Sequence, residues 1–437
     1  MSSGQPDSSR VVPFESAAED PVQQQYERYP YPARDPREES KRLITGSPSN
    51  LAEINHYLFA GRRDFARPFR ALVAGGGTGD ATIMLAQQLA DYGRGGEVVY
   101  LDSSVAARKI AEGRARARGL SNITFVTADL QTLPDLQAGL FDYIDCCGVL
   151  HHLEDPPVGL AALVSVLADT GGIGLMVYGE YGRTGLYGLQ DMLRRMRSGR
   201  PLEEHIPLAR RVIEALPKSN WFRRNPFLGD HKRSDAELVD LCLHARDRAY
   251  TVPELVDLVG DAGLAITSFV EPLRYAPGSY LSDPIIMRQV ETLPWIDQAA
   301  IAEVLAGNMK KHIVYLVKQS AIQDGTLTHH VACPDQPDAV PVLRDLSGPR
   351  LAHAVQRDLK LTAEFDGLHP SYPLPPLAPA ILLRINDQAN LADIYNAILD
   401  FDETLEWDKF KEQFDQLYAV LNGLNRLLIA YPAASGR

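Results

Sequence analysis

The chain has 437 residues, 45% of them hydrophobic and 23% charged, with a formal net charge of −12. That length exceeds one ordinary domain and predicts two or three units of a globular protein. The acidic total excludes steering toward nucleic acid by the overall field, so nucleic acid is not an expected partner and only a local basic patch would argue otherwise.

Residues 1–20 are rich in Ser, Pro and acid and read as a disordered tail. The opening MSSGQPDSSR has no apolar signal core, and no window of the chain approaches the length of a membrane span. A cytoplasmic protein with no membrane partner is therefore expected. Residues 21–68 form an N-terminal arm. Within it, Tyr26-Glu27-Arg28-Tyr29-Pro30-Tyr31-Pro32 alternates aromatics with prolines and predicts an extended, ordered segment. It is either a strap packed on the surface or a lid over an active site.

A regular βα alternation starts at Ala71. Strands are predicted at Ala71–Ala74, at Glu97–Leu101 ending in Asp102, at Ile123–Thr127 ending in Ala128-Asp129, at Phe141–Cys146 and at Ile173–Val177. Helices are predicted at Ala81–Leu89, Val105–Arg118 and about Pro157–Leu167. This alternation predicts a right-handed, parallel, doubly wound α/β sheet. From Tyr178 to about Arg248 the pattern breaks into an irregular, basic and aromatic stretch, including Arg194-Arg195-Met196-Arg197 and Trp221-Phe222-Arg223-Arg224. An insertion there builds a substrate cap. The alternation resumes with a helix at Val252–Ala262 closed by Gly263, a strand at Ala265–Val270, a helix at Pro294–Ala306 and a last strand at His312–Val317, which makes seven strands. A linker with some strand potential (319–375) leads to a small, mainly helical unit (376–437). Its elements are predicted at Leu377–Ile385, Leu391–Leu399, Trp407–Asn422 and Leu427–Ala430.

The chemistry begins where the first strand runs into Gly75-Gly76-Gly77-Thr78-Gly79-Asp80. Alternate glycines permit a sharp turn and close approach of a ligand to bare main chain. Alone, such a turn is shared with nicotinamide and flavin enzymes. The acid ending the second strand, Asp102, can accept both ribose hydroxyls of a nucleoside, with Ser103 beside it. The acid ending the third strand, Asp129, can accept from an exocyclic adenine amine while the Leu130 N–H donates to a ring nitrogen. Cys146 and Cys147 lie adjacent on a buried strand. With Cys242 and Cys333 they show no metal-ligand spacing, so reduced thiols and no metal are expected.

At VAGGGTG (73–79), YLD (100–102), VTADL (126–130) and FDYIDCCGVLHHLEDP (141–156), the chain resembles the class I S-adenosylmethionine-dependent methyltransferases over residues 69–318. The resemblance implies a seven-stranded, Rossmann-like methyltransferase sheet with the cap at 178–248. It implies S-adenosyl-L-methionine as cofactor. Gly75, Gly77, Thr78 and Gly79 would lie near its methionine part, Asp102 on the ribose, Asp129 on the adenine, and Cys146 to Gly148 near the sulfonium and substrate. Many members carry an acid where this chain has Val73, which leaves open what holds the amino group. Asp145 falls inside an apolar strand, where an unpaired charge is costly; either a buried donor satisfies it or it faces the site.

Methyl transfer from a sulfonium is in-line displacement, so the protein mainly positions the reactants and excludes water. A base is needed only where the acceptor must lose a proton. His151 is the catalytic candidate after the fourth strand, with a packed structural histidine as the bland alternative for the His151-His152 pair. In the loop 178–187, Tyr181 and Arg183 are candidates. Arg183 either pairs with a substrate carboxylate or phosphate or is held by a nearby acid such as Glu180. The C-terminal unit loosely resembles small winged-helix modules of the peptide-chaperone type. Its acidic residues favour protein recognition or homodimerisation over DNA. The expected activity is methyl transfer to a small molecule or a protein side chain. The alternative is a non-catalytic, cofactor-binding homologue acting through protein partners.

Overall fold

The computed structural model describes residues 20–93, 95–197, 199–322, 327 and 329–432. The tail expected to be disordered lies outside these residues except for Asp20, which caps the first helix with its carboxylate on the Val22 N–H. The chain folds as two compact units. The first comprises Met1–Ser49, Phe65–Thr251 and Asn308–His312, and the second Asn50–Asp64, Val252–Gly307 and Ile313–Arg437.

The first unit is built on five strands: β1 (Phe69–Ala74), β2 (Gly96–Asp102), β3 (Ile123–Thr127), β4 (Phe141–Cys147) and β5 (Leu167–Tyr178). The pairs β1–β2, β1–β4, β2–β3 and β4–β5 are all parallel. Crossover helices Asp80–Tyr92, Val105–Arg118 and Pro156–Ser165 cover the faces. Leu72, Tyr100, Tyr143 and Ile144 are fully buried, as sheet residues covered on both sides must be. With β6 (Leu264–Phe269) and β7 (Lys311–Lys318), the sheet has seven strands in the order β3-β2-β1-β4-β5-β7-β6. The order reverses between β1 and β4. Ligands of open α/β sheets bind at such a reversal, beyond the carboxyl ends of the strands. The parallel arrangement expected from the first five strands is observed, and β6 and β7 add an antiparallel pair at one edge. Strand direction is set by how the chain returns to the sheet, and the local alternation of apolar residues carries no trace of it.

The insertion expected to be irregular is helical. Helices span Leu186–Arg197, Leu202–Ala215, Trp221–Arg224 and Asp235–Cys242. They enclose their own apolar cluster of Leu186, Leu189, Leu193, Ile206, Phe222 and Leu238. Leu186, Leu189 and Leu193 repeat at helical spacing, a stripe that the surrounding arginines obscure. Those arginines are on the solvated face: Arg195 pairs with Asp191 at 2.9 Å, with both side chains exposed. The arm is also partly helical. Pro21–Arg28 forms a helix that takes in Tyr26, and the Tyr29–Pro32 stretch that follows it is bent, not extended.

In the second unit, β8 (Val340–Leu343) pairs antiparallel with β11 (Leu427–Ala430), and β9 (Lys360–Thr362) pairs with β10 (Ser371–Pro373). The stretch expected as a linker thus supplies a strand to the small C-terminal core. The helix Trp407–Gly423 places Phe410, Phe414, Leu417 and Leu421 on one buried stripe against Ile381, Leu391 and Ile394.

Candidate functional site

The glycine turn is fixed by its neighbours. Gly75 has φ +76° and a Cβ there would meet Val149 Cγ2 at 2.2 Å. Its N–H donates to Leu101 O at 2.8 Å, tying the turn to β2. Gly77 has φ +50°, and a Cβ there would lie 2.9 Å from the Tyr31 carbonyl oxygen of the arm. Asp102 is oriented by two backbone donors, the Gly77 N–H on Oδ2 at 2.7 Å and the Ser104 N–H on Oδ1 at 2.8 Å. Burial nevertheless holds its carboxyl above the usual range. Each oxygen keeps a second lone pair for a ligand hydroxyl. Asp129 caps the short helix Leu130–Leu136 through Oδ1 on the Gln131 N–H at 2.7 Å.

Beyond β4 the chain passes through Cys147, Gly148 and Val149 into a short turn of helix at Leu150–His152. Burial pushes the Cys147 thiol up to about 12 and the Cys146 thiol further, so neither offers a thiolate. Asp145 is fully buried, with Oδ2 accepting from the Ser49 hydroxyl at 2.7 Å. Burial raises its carboxyl to about 7, against the pull of the Ser49 and Tyr143 hydroxyls.

The cap and the arm supply a polar cluster. Tyr26 donates from its hydroxyl to Asp240 Oδ1 at 2.9 Å and lies 3.0 Å from His244 Nε2. The Tyr178 hydroxyl is 3.5 Å from Asp240 Oδ2. His152 stacks on His244 with ring centroids 3.8 Å apart. Burial pushes Asp240 up to about 7 and His152 down to about 4, and holds His244 well below its usual value. Among the described residues, ligating atoms of His152, Asp240 and His244 lie within 4.8 Å of one another, close enough to suggest a metal. The tautomers argue otherwise. The Arg246 N–H donates to His244 Nδ1 at 3.0 Å, so the neutral ring carries its proton on Nε2. That Nε2–H donates to Tyr26, whose own proton goes to Asp240. His152 Nδ1 donates to Arg246 O at 2.9 Å, leaving its Nε2 lone pair open. The cluster is a hydrogen-bond chain ending on a carboxylate.

Arg183 is buried, pairs with Asp247 at 2.7 Å and stacks over the Tyr178 ring at 3.6 Å. It is held by Asp247 rather than by Glu180. The arm is anchored separately. Arg34 meets Asp80 through both Nε and Nη2, at 2.9 and 2.6 Å, and the fully buried Arg114 joins Asp80 to Glu39.

These parts surround one cavity of about 570 Å³. Of the residues expected on the cofactor, Gly75, Gly77, Asp102, Ser103, Asp129, Leu130 and Cys147 line it; Thr78, Gly79 and Cys146 are not on its wall. Thr78 instead ties the arm down, its hydroxyl donating to Pro32 O at 2.7 Å. Of the catalytic candidates Arg183 lines the cavity, whereas His151 and Tyr181 do not. His151 lies behind the wall, its ring 3.9 Å from that of Tyr178, with both nitrogens buried and without a hydrogen-bond partner. Its neighbour His152 takes the wall. Sequence reasoning missed Tyr26, Tyr178 and Asp240 as wall residues, and left open whether Asp145 faces the site and which histidine of the 151–152 pair is packed away. Asp240 in the last turn of the helix Asp235–Cys242 and His244 just beyond its end are the local signal that could have found the cap cluster.

Residues 72–173 match the family described as "Methyltransferase domain". An uncharacterized protein of Synechococcus sp. is 30% identical over 264 residues, which are 58% of this chain and 60% of that relative. The chain therefore covers less than two thirds of that curated relative. Among solved structures, PKMT2 from Rickettsia typhi is similar with a TM-score of 0.61 at 14% identity, over 90% of this chain and 76% of that one. PKMT2 in complex with AdoHcy gives a TM-score of 0.60 with the same identity and coverage. The matched segment carries the glycine turn, and the seven-stranded sheet around it has a fold similar to that of PKMT2.

Proposed function

We propose that this chain moves a methyl group from S-adenosyl-L-methionine to a nucleophile on a small molecule or a protein side chain. One observation carries this: a single cavity has the glycine turn, Asp102 and Asp129 on its wall together with Tyr26, His152, Tyr178 and Asp240. The AdoHcy bound to PKMT2 on a similar fold agrees with it. When bound, the cofactor supplies a methyl group already activated on a sulfonium.

The chain's residues do the rest. Asp102, with Ser103 beside it, accepts from the ribose hydroxyls. Asp129 and the Leu130 N–H receive the adenine edge. Gly75 and Gly77 admit the methionine part, with Thr78 and Gly79 shaping the turn from behind. Cys147 lies near the sulfonium, and Cys146 fills the strand behind it. Asp240 and the open Nε2 of His152 are placed to take a proton from the acceptor. Arg183 positions Tyr178, and His151 supports the same ring from the other side of the wall. Tyr181 opens the short helical turn that carries Arg183. The arm, pinned at Asp80, Thr78 and Asp240, excludes water as a lid does.

The exposed Phe401 and Leu383 of the acidic small unit suit protein recognition or self-association. Four unpaired cysteines agree with a cytoplasmic setting. Among the described residues no helix is long and apolar enough to cross a membrane.

Calorimetric titration with S-adenosylmethionine and S-adenosylhomocysteine tests the cofactor. Asp102→Ala and Asp129→Ala should each weaken affinity about tenfold, the loss of a hydrogen bond to a charged group. Absence of binding to the unmodified protein, or unchanged affinity in both variants, overturns the assignment. Incubating lysate with methyl-labelled cofactor and separating protein, RNA and small molecules then identifies the acceptor class.

A further inference from the structure

We propose that Asp145 receives the α-ammonium group of the cofactor's methionine part, in place of the β1 carboxylate that this chain lacks at Val73. The inference rests on S-adenosylmethionine as cofactor. In the parallel pair β1–β4, Val73 stands directly opposite Asp145. Partners in register point to the same face of a sheet, and neighbouring strands are about 4.8 Å apart. A carboxylate at 145 therefore reaches the space that one at 73 would reach, displaced by a single strand. Both residues line the cavity, together with Gly75 and Gly77.

Asp145 also has the vacancy such a role needs. It is fully buried, Oδ2 takes the Ser49 hydroxyl, and Oδ1 has no hydrogen-bond partner. Buried carboxylate oxygens are rarely left unpaired, and an orphan on a residue that lines a cavity calls for a donor. Three other acids on the wall already hold donors. Asp80 holds Arg34 and Arg114, Asp102 holds two backbone N–H groups, and Asp240 holds Tyr26. Burial alone keeps the Asp145 carboxyl up to about 7. A bound ammonium would draw it back toward the ionised form and give it a charged partner.

The test compares S-adenosylhomocysteine with its deaminated analogue and with 5′-methylthioadenosine, which keeps the nucleoside and lacks the amino-acid part. In the unmodified protein, removing the amino group should weaken binding about tenfold. In Asp145→Asn, S-adenosylhomocysteine should weaken by a similar factor while methylthioadenosine stays within about twofold, so that deamination no longer matters. Asp145→Ser, which keeps a hydroxyl for Ser49, serves as the second variant if the amide variant does not fold. Val73→Asp combined with Asp145→Asn should recover affinity for S-adenosylhomocysteine. Equal weakening of all three ligands, or a penalty for deamination that survives in Asp145→Asn, overturns the assignment while leaving the cofactor intact. If the unmodified protein binds none of the three, the cofactor assignment itself falls, and this one with it.

Discussion

The carboxyl of Asp240 gives a prediction that needs no knowledge of the acceptor. Its pKa is pushed up from 3.8 to about 7, first by burial, with Asp247 adding to it and the Tyr26 hydroxyl and Arg183 opposing. The rise is roughly three units, and at 1.36 kcal/mol per unit the ionised form is disfavoured by about 4 kcal/mol relative to the unfolded chain. The sign follows from proton binding. Between about pH 4 and pH 7 the folded protein holds a proton here that the unfolded chain has lost, so this group's contribution to stability falls as pH rises through that window. Below it both states are protonated, and above it both are ionised and the penalty is complete. His152, drawn down to about 4, and His244 work in the opposite sense near the same range. Asp145 works in the same sense. All three are present in Asp240→Asn as well, so they cancel in the difference between variant and parent. Thermal unfolding of both proteins from pH 4 to pH 9 should show Asp240→Asn gaining on the parent as pH rises, with the gain levelling off above pH 7. A difference that is flat across the range, or that shrinks as pH rises, refutes a desolvated carboxyl at this position and with it the poised proton acceptor.

Three further outcomes are expected. Gly75→Ala places a side chain at φ +76° and a Cβ at 2.2 Å from Val149, so stability should drop by about 1–2 kcal/mol for the backbone alone. Cofactor affinity should fall with it; denaturant unfolding and calorimetry would show a well-tolerated alanine if the turn is not as described. Arg114→Ala removes the buried guanidinium between Glu39 and Asp80 and should cost about 3 kcal/mol, the low end for a broken buried pair, because Arg118 still meets Glu39 at 2.6 Å. Arg34→Ala breaks a half-exposed pair and should cost about 1 kcal/mol or less in global stability. Its expected signature is faster dissociation of S-adenosylhomocysteine in stopped flow; an unchanged off-rate would show that the arm does not gate the site.

The glycine-turn end of the cavity was legible because its residues sit at the ends of consecutive strands. Gly75, Asp102 and Asp129 each follow a short apolar run, and the parallel sheet alone brings those three ends together. The arm-and-cap end was not legible, since it is assembled across long separations. Tyr26 meets Asp240 over 214 positions, and His152 meets the Arg246 carbonyl over 94. Nothing local marks either pair. His151 and His152 show the limit at its sharpest. Their sequence surroundings are alike, yet one ring turns behind the wall and the other onto it, a choice made by a single turn of helix at Leu150–His152.

Val73 and Asp145 show a different limit. Along the chain they are an apolar residue where an acid is common and an acid where apolar residues are expected, two separate irregularities 72 positions apart. Across the sheet they are one, because β1 and β4 set them side by side. A carboxylate buried in a strand is costly unless it is paired, so the unpaired Oδ1 of Asp145 asks for a further donor. The missing acid at 73 supplies the reason for that arrangement. A position one strand away, on the same face, lets the sheet keep a negative group near the glycine turn while the β1 position is filled by a valine that packs.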